Sequence, residues 1–276
     1  MRDLLAYCTD FRQWTPGTAY AAELAAVIGG SLTGLYASRP LPTLPPAGNV
    51  VSALAEWMAE ATNELHCAML AGREFAAWAR GLGAKDARWQ VALGDPRDIL
   101  DAAGSTADLI VLDRPEGADG GSPGTLLRAA VLSDRPCIVV PPRSCVLGRL
   151  ERIALAWDGS ATATRSLHAA VPLLRHASDV LLLRAAQALL PGHGSEHWPL
   201  FDPLAHLAAH GITAREEVIA TRGVTAGHTL LEVCSIQRAD LLVAGANGKA
   251  RRSEGRLGET TDYLMQHATL PLFFRH

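Results

Sequence analysis

Residues 245–261 read GANGKARRSEGRLGETT, directly after the apolar run Leu241, Leu242, Val243, Ala244. The stretch holds four glycines and four cations, Lys249, Arg251, Arg252 and Arg256. Glycine lets a backbone approach a bound group closely. Backbone N–H groups at the start of a helix favour negative charge, and guanidinium groups suit a phosphate. The chemistry this pattern can perform is anion binding. Gly245, Gly248 and Gly258 would supply close approach and Arg251 and Arg252 charge, while Glu259 and Thr260 open the helix that follows. These cations could equally be a solvated face; their confinement to the glycine loop favours phosphate contact.

A loop of this kind needs a strand before it and a helix after it, and the chain supplies that frame twice. ILDAAGSTADLIVLD (99–113) parallels LLEVCSIQRADLLVAG (230–245), with Ala107-Asp108 matching Ala239-Asp240. DRPCIVVPP (134–142) parallels ATLPLFFRH (268–276), and DLLAYCTD (3–10) parallels RIALAWDGS (152–160). The second strands, SLTGLYA (31–37) and DVLLLRA (179–185), complete the repeat. Internal similarity at this scale is a duplication. We expect domains at 1–145 and 150–276, joined near the Pro141-Pro142 pair, which cannot continue a ladder.

Each half reads as strand and helix in alternation. Its apolar runs do not alternate with polar residues, so its strands are buried on both faces, as in a parallel sheet flanked by helices. The predicted fold is α/β: two tandem open parallel-sheet domains, Rossmann-like, arranged as a pseudo-dimer. Thr15-Pro16 predicts a helix start, Gly29-Gly30 its end, and Ser160 the cap of a helix over 161–176, which Pro172 should bend or shorten. The first half carries a long helical stretch over 50–80, where the second has a short one near 203–210 after the loop PGHGSEHWP.

The spacing Gly245-x2-Gly248-x9-Gly258, with its Ala-Asp-strand lead-in, resembles the nucleotide-binding signature of the universal stress protein family. The resemblance extends over both halves and makes the chain similar to a tandem member. It implies an adenine nucleotide as ligand, ATP or AMP, with or without Mg. It also implies contact of Asp158, in Trp157-Asp158-Gly159-Ser160, with the adenosine part, and places Ala185 beside the adenine. From the residues alone, Asp158 could instead cap the following helix. The family has Ser or Thr where this chain has Glu259, whose carboxylate would suit the helix N-terminus and compete with phosphate. Thr260 and Thr261 follow with hydroxyls.

In the first half Cys8 is read at the position of Asp158, Asp113 at that of Gly245, Glu116 at that of Gly248, and Gly124-Thr125 as a remnant of Gly258 and its neighbour. With Asp113, Glu116 and Asp119 against Arg114, this is a poor phosphate cradle. The first half is expected to be structural or to bind an unknown protein partner.

The bulk composition narrows the rest. Net charge is −3, so the basic face that nucleic-acid binding needs is not expected. Five scattered cysteines, none in a C-x-x-C pair, predict a reducing compartment rather than a disulfide framework or zinc site. The start, MRDLLAYC, reads as a strand and not as a signal peptide. The expected location is the cytoplasm, with no membrane partner. His193 and His197 are four apart but lack further ligands, so a solvated loop is the expected reading. Trp57 and Trp78 share a helical stripe and are expected in a core or interface.

No G-x-S-x-G, G-x4-G-K-[S/T] or H-E-x-x-H motif occurs. The expected function is therefore a nucleotide-binding regulatory or stress-response protein, with slow ATP hydrolysis at most. Two alternatives stand beside it. One is a scaffold in which both sites are relics. The other is an adenine-nucleotide α-hydrolase-type enzyme, which Asp158-Gly159-Ser160-Ala161 in place of S-G-G-x-D-S counts against. The terminal strands CIVV (137–140) and LPLFF (270–274) should pair antiparallel within the chain; whole chains could dimerise further.

Overall fold

The computed structural model describes residues 1–38, 50–115, 125–131, 133–142, 144, 148–186, 201–220, 223–246 and 257–276, with backbone alone at 50–54, 57 and 125. Strands β1 (Asp3–Cys8), β2 (Ser31–Ser38), β3 (Asp86–Leu93), β4 (Leu109–Asp113) and β5 (Cys137–Val140) belong to the first half. Between them lie α1 (Pro16–Ile28), α2 (Val50–Leu70), α3 (Gly72–Gly81), α4 (Pro96–Gly104) and α5 (Thr125–Val131). The second half repeats the order: β6 (Arg152–Trp157), α6 (Ala161–Leu174), β7 (Asp179–Ala185), α7 (Pro203–Ala209), β8 (Ala214–Ile219), α8 (Ala226–Gln237), β9 (Leu241–Gly245), α9 (Glu259–His267) and β10 (Leu272–Arg275).

The described strands form one sheet in the order β3-β2-β1-β4-β5-β10-β9-β6-β7-β8. Every neighbour pair is parallel except β5 with β10, where Val139 faces Leu272, Ile138 faces Phe273 and Cys137 faces Phe274. The terminal strands thus cover each other's edges, and the chain is a pseudo-dimer with a continuous sheet. Phe273 and Phe274 are fully buried, one in the core on each face of the sheet. One face is packed by α1, α3, α6 and α7 and the other by α4, α5, α8 and α9, so consecutive strand residues are buried alternately in two cores. That is why the strands read as unbroken apolar runs.

Helix ends follow their local chemistry. The Thr15 hydroxyl accepts from the Thr18 amide, and Pro16 fills the first turn. Gly29 closes α1 at φ +64°, a left-handed conformation that glycine adopts without strain. Ser160 caps α6, its hydroxyl accepting from the Ala163 amide at 3.2 Å. Helix α6 ends at Leu174, with Pro172 in its last turn. The long stretch expected over 50–80 is two helices that break at Ala71. Gly72 lies against the indole of Trp89, where an added Cβ would come within 3.2 Å. Trp78 is half-buried and stacks on Trp14, with ring centroids 5.3 Å apart. The side chain of Trp57 lies outside the described residues.

A second contact joins the halves. The Arg114 guanidinium donates to the carbonyls of Met265 (3.1 Å) and Ala268 (2.9 Å), at the C-terminal end of α9. A cation there satisfies carbonyls that the helix leaves unpaired and meets the negative end of its dipole.

Candidate functional site

In the second half the strand order reverses between β6 and β9, and β6, β7, β8 and β9 run parallel. Ligands in open α/β sheets bind outside the carboxyl ends of the strands at such a point. A cavity of about 360 Å3 lies there. Its walls are the ends of four strands (Trp157, Ala185, Ile219 and Gly245) and the starts of three helices, α6, α8 and α9. Three helix N-termini facing one cavity make its polar end receptive to negative charge.

Most of the residues singled out in the sequence converge on this cavity. Asp158, Ala185, Gly245, Gly258, Glu259 and Thr260 all line it. Gly248, Arg251 and Arg252 lie outside the described residues, as do Lys249 and Arg256. The loop holding His193 and His197 lies outside them too. Among the described residues, no cluster of three or more His, Cys, Asp or Glu is placed to hold a metal ion.

The local geometry explains how each part is held. Asp158 does not cap α6; Ser160 does. Instead its carboxylate accepts from the Ser160 amide at 2.9 Å, a tight turn that Gly159 permits at φ +79°. The turn leaves Asp158 exposed at the cavity rim. Gly245 rests on the first turn of α6: an added Cβ would stand 2.7 Å from the Ala163 amide nitrogen and 2.8 Å from the Thr162 carbonyl carbon. No larger residue fits without moving backbone. Gly258 precedes α9 with no side-chain cap, which leaves the first amides of α9 facing the cavity. Glu259, the first residue of α9, is exposed beside them.

Among the lining residues that sequence reasoning overlooked are Thr162, Ile219, Ala226 and Leu230. Ile219 ends a strand and Ala226 follows the Thr225 cap of α8, so their place in the repeat was available as a signal. Thr162 is buried, and its hydroxyl sits 3.0 Å from that of Ser160.

The first half differs at the equivalent positions. Leu4 pairs with Leu109 as Ile153 pairs with Leu241. This register makes Cys8 the counterpart of Trp157 and Thr9 that of Asp158, correcting the one-residue shift in the sequence reading. Asp113 is the counterpart of Gly245, as expected: it faces Val140 on β5 where Gly245 faces Arg275 on β10. Its carboxylate accepts from the Gly17 amide at 2.6 Å and from the Thr15 hydroxyl at 2.5 Å. The N-terminus of α1 is therefore already paired with an internal anion. Burial pushes the Asp113 carboxyl above the usual carboxylate range, against the pull of those two donors. Cys8 is buried, donates to the Ala6 carbonyl, and its thiol is pushed up to about 12 by burial, so it is an inert packing residue. Glu116, Asp119 and Gly124 lie outside the described residues.

Comparison with known proteins bears on the second half by sequence and on both halves by fold. The model of the universal stress protein family matches residues 149–274. The second half is a universal stress protein domain. The fold of a universal stress protein from Archaeoglobus fulgidus DSM 4304 matches along both halves, with a TM-score of 0.70 at 15% identity, over 99% of this chain and 95% of that one. A functionally unknown protein from Pseudomonas aeruginosa PAO1 is similar in fold at a TM-score of 0.56 and 15% identity, covering 100% of this chain and 92% of its own. At these identities the likeness is one of fold. No curated protein matches the chain. Among the described residues, no helix of the chain is long and apolar enough to cross a membrane.

Proposed function

We propose that this universal stress protein binds an adenine nucleotide, ATP or AMP, in the cavity of its second half and acts as a nucleotide-binding regulatory protein. The observation that carries the reading is the convergence of Asp158, Ala185, Gly245 and Gly258 on one cavity into which three helix N-termini open. The apolar side, with Ala185, Leu183, Ile219 and Leu230, suits a purine ring. The polar side, with the starts of α6 and α9, suits phosphate, and the close packing of Gly245 on α6 holds that helix start beside the strand ends. The loop cations Arg251 and Arg252 would add charge at the phosphates, and a bound Mg ion would offset the carboxylates of Asp158 and Glu259.

The first half serves as a partner of fixed structure in this reading, because Asp113 already pairs with the helix start that a ligand would use. Native mass spectrometry of the purified chain is the test. Co-purified ATP or AMP supports the reading; a ligand-free chain that takes up neither nucleotide favours a scaffold with two relict sites.

A further inference from the structure

The outer side of the cavity is built from aromatic rings that lead away from the ligand space to three histidines. Trp157 lines the cavity and is buried. Phe201 packs on it, with ring centroids 5.5 Å apart. Phe201 in turn contacts His168 of α6 at 5.4 Å and His206 of α7 at 5.2 Å. His168 and His206 stack at 4.2 Å, and His210, at the end of α7, meets His206 edge-on at 4.6 Å. Among the described residues these rings are not placed to hold a metal ion.

This column is built for neutral rings. The His206 Nε2 atom is out of contact with solvent and has no hydrogen-bond partner among the described residues. An added proton there would have no acceptor. His210 Nδ1 lies 3.3 Å from an Arg175 guanidinium nitrogen. A guanidinium only donates, so that imidazole nitrogen must accept and carry no proton.

The charges around His206 do not relieve the strain of protonation. From α6 come His168 and, through His210, Arg175. Its own helix brings His210 and the cap residue Asp202, whose carboxylate is engaged by the amides of Leu204 and Ala205. Strand β8, which packs on α7, brings Glu216 on that face, engaged by Arg184, while Arg215 and Glu217 pair with Gln237 on the α8 side. Burial first, then the two neighbouring histidines, hold His206 below the ordinary imidazole value of 6.5.

We infer that ligand binding in the second half is proton-sensitive, because protonation of His206, stacked between His168 and His210, releases α7 from α6 and takes the Phe201 support away from Trp157. The inference rests on the cavity being the ligand site. The direction follows from linkage. With α7 docked, His206 resists protonation; with α7 released, it titrates near 6.5. Above that value both states are neutral and docking is complete. As the pH falls below it, the released state takes up the proton first and docking weakens, until the pH passes the docked value. Within that window each pH unit changes the docking equilibrium by up to about tenfold.

The test uses the full chain and His206→Phe, which keeps the ring stack and removes the proton site. ATP affinity is measured at about pH 7.5 and about pH 5.5, with hydrogen exchange of residues 203–209 followed without nucleotide. We expect the wild type to lose up to about tenfold more affinity than the variant on acidification, and α7 to lose protection only in the wild type. Equal losses of affinity in both proteins, or an α7 that stays protected in the acidified wild type, overturn the inference. If neither protein binds ATP at the higher pH, the nucleotide reading fails instead. The exchange data then decide alone whether the column is a proton switch.

Discussion

The Asp113 carboxylate sits against the amide of Gly17, 2.6 Å away, at the place in the first half that Gly245 and Thr162 occupy in the second. The two halves solve one packing problem in opposite ways. Where the strand residue is Asp113, the helix residue is Gly17, whose added Cβ would meet that carboxylate at 2.8 Å. Where the strand residue is Gly245, the helix residue is Thr162, whose hydroxyl lies 2.9 Å from the position of an added Cβ. An anion supplied by the chain itself thus stands where the proposed nucleotide would supply one.

This exchange predicts a transplant. Gly245→Asp together with Thr162→Gly should move the first turn of α6 away from the strand, since an added Cβ still meets the Ala163 amide, and lower ATP affinity at least about tenfold through like-charge repulsion at the helix start. Calorimetric titration beside circular dichroism reads both effects. A folded double variant with wild-type affinity would show that the start of α6 takes no part in binding.

The buried carboxyl predicts a pH dependence. Asp113 has its folded value raised, chiefly by burial, so its contribution is fully present below the unfolded value and is lost as the pH rises through the folded one. Asp113→Asn can keep the bond from Gly17 and cannot ionise. Urea unfolding should show the stability difference shifting in favour of the Asn variant between acid and neutral pH. Asp113→Ala should cost about 1–3 kcal/mol at acid pH, since it leaves Gly17 N–H buried without a partner, and less as the pH rises through the folded value.

Glu259 stands at the first position of α9, where a carboxylate suits the helix and opposes a phosphate. Glu259→Ser should tighten ATP binding about two- to fivefold, from an interaction of about 0.3–1 kcal/mol. Isothermal titration in magnesium and in EDTA checks it. Weaker binding by the variant in magnesium alone would instead make Glu259 a partner of the metal ion.

The joint between halves predicts what truncation does. Residues 150–276 alone would bare β10, with Phe273 and Phe274 next to an open edge, and would lose the Arg114 cap on α9. Light scattering should show self-association or aggregation. A stable monomer at high concentration would mean that the β5–β10 pairing contributes little.

Much of this was legible in the sequence because the repeat carries its own register. The matched Ala107-Asp108 and Ala239-Asp240 pairs mark β4 and β9 as equivalent strands, and the caps Thr15, Ser160 and Gly29 rest on neighbours within a few residues. The opposed terminal strands follow from two short apolar edges that need cover. Other features depend on contacts distant in the chain. Asp113 could be recognised as replacing Gly245, but its bond to Gly17 spans 96 positions and no local pattern announces it. The one-residue shift at Cys8 arose because a strand buried on both faces has no alternation to mark its end. The break at Ala71 depends on the Trp89 indole against Gly72, and the histidine column on two helices meeting.

The most direct measurement is a calorimetric titration of ATP into the wild type and Gly258→Val. Gly258 precedes the exposed start of α9 at the cavity, so a branched side chain there would crowd the approach of phosphate to those amides. The account predicts one nucleotide per chain for the wild type and no measurable binding for a folded Gly258→Val. Two equivalents of similar affinity, or a variant that binds as the wild type does, would contradict it.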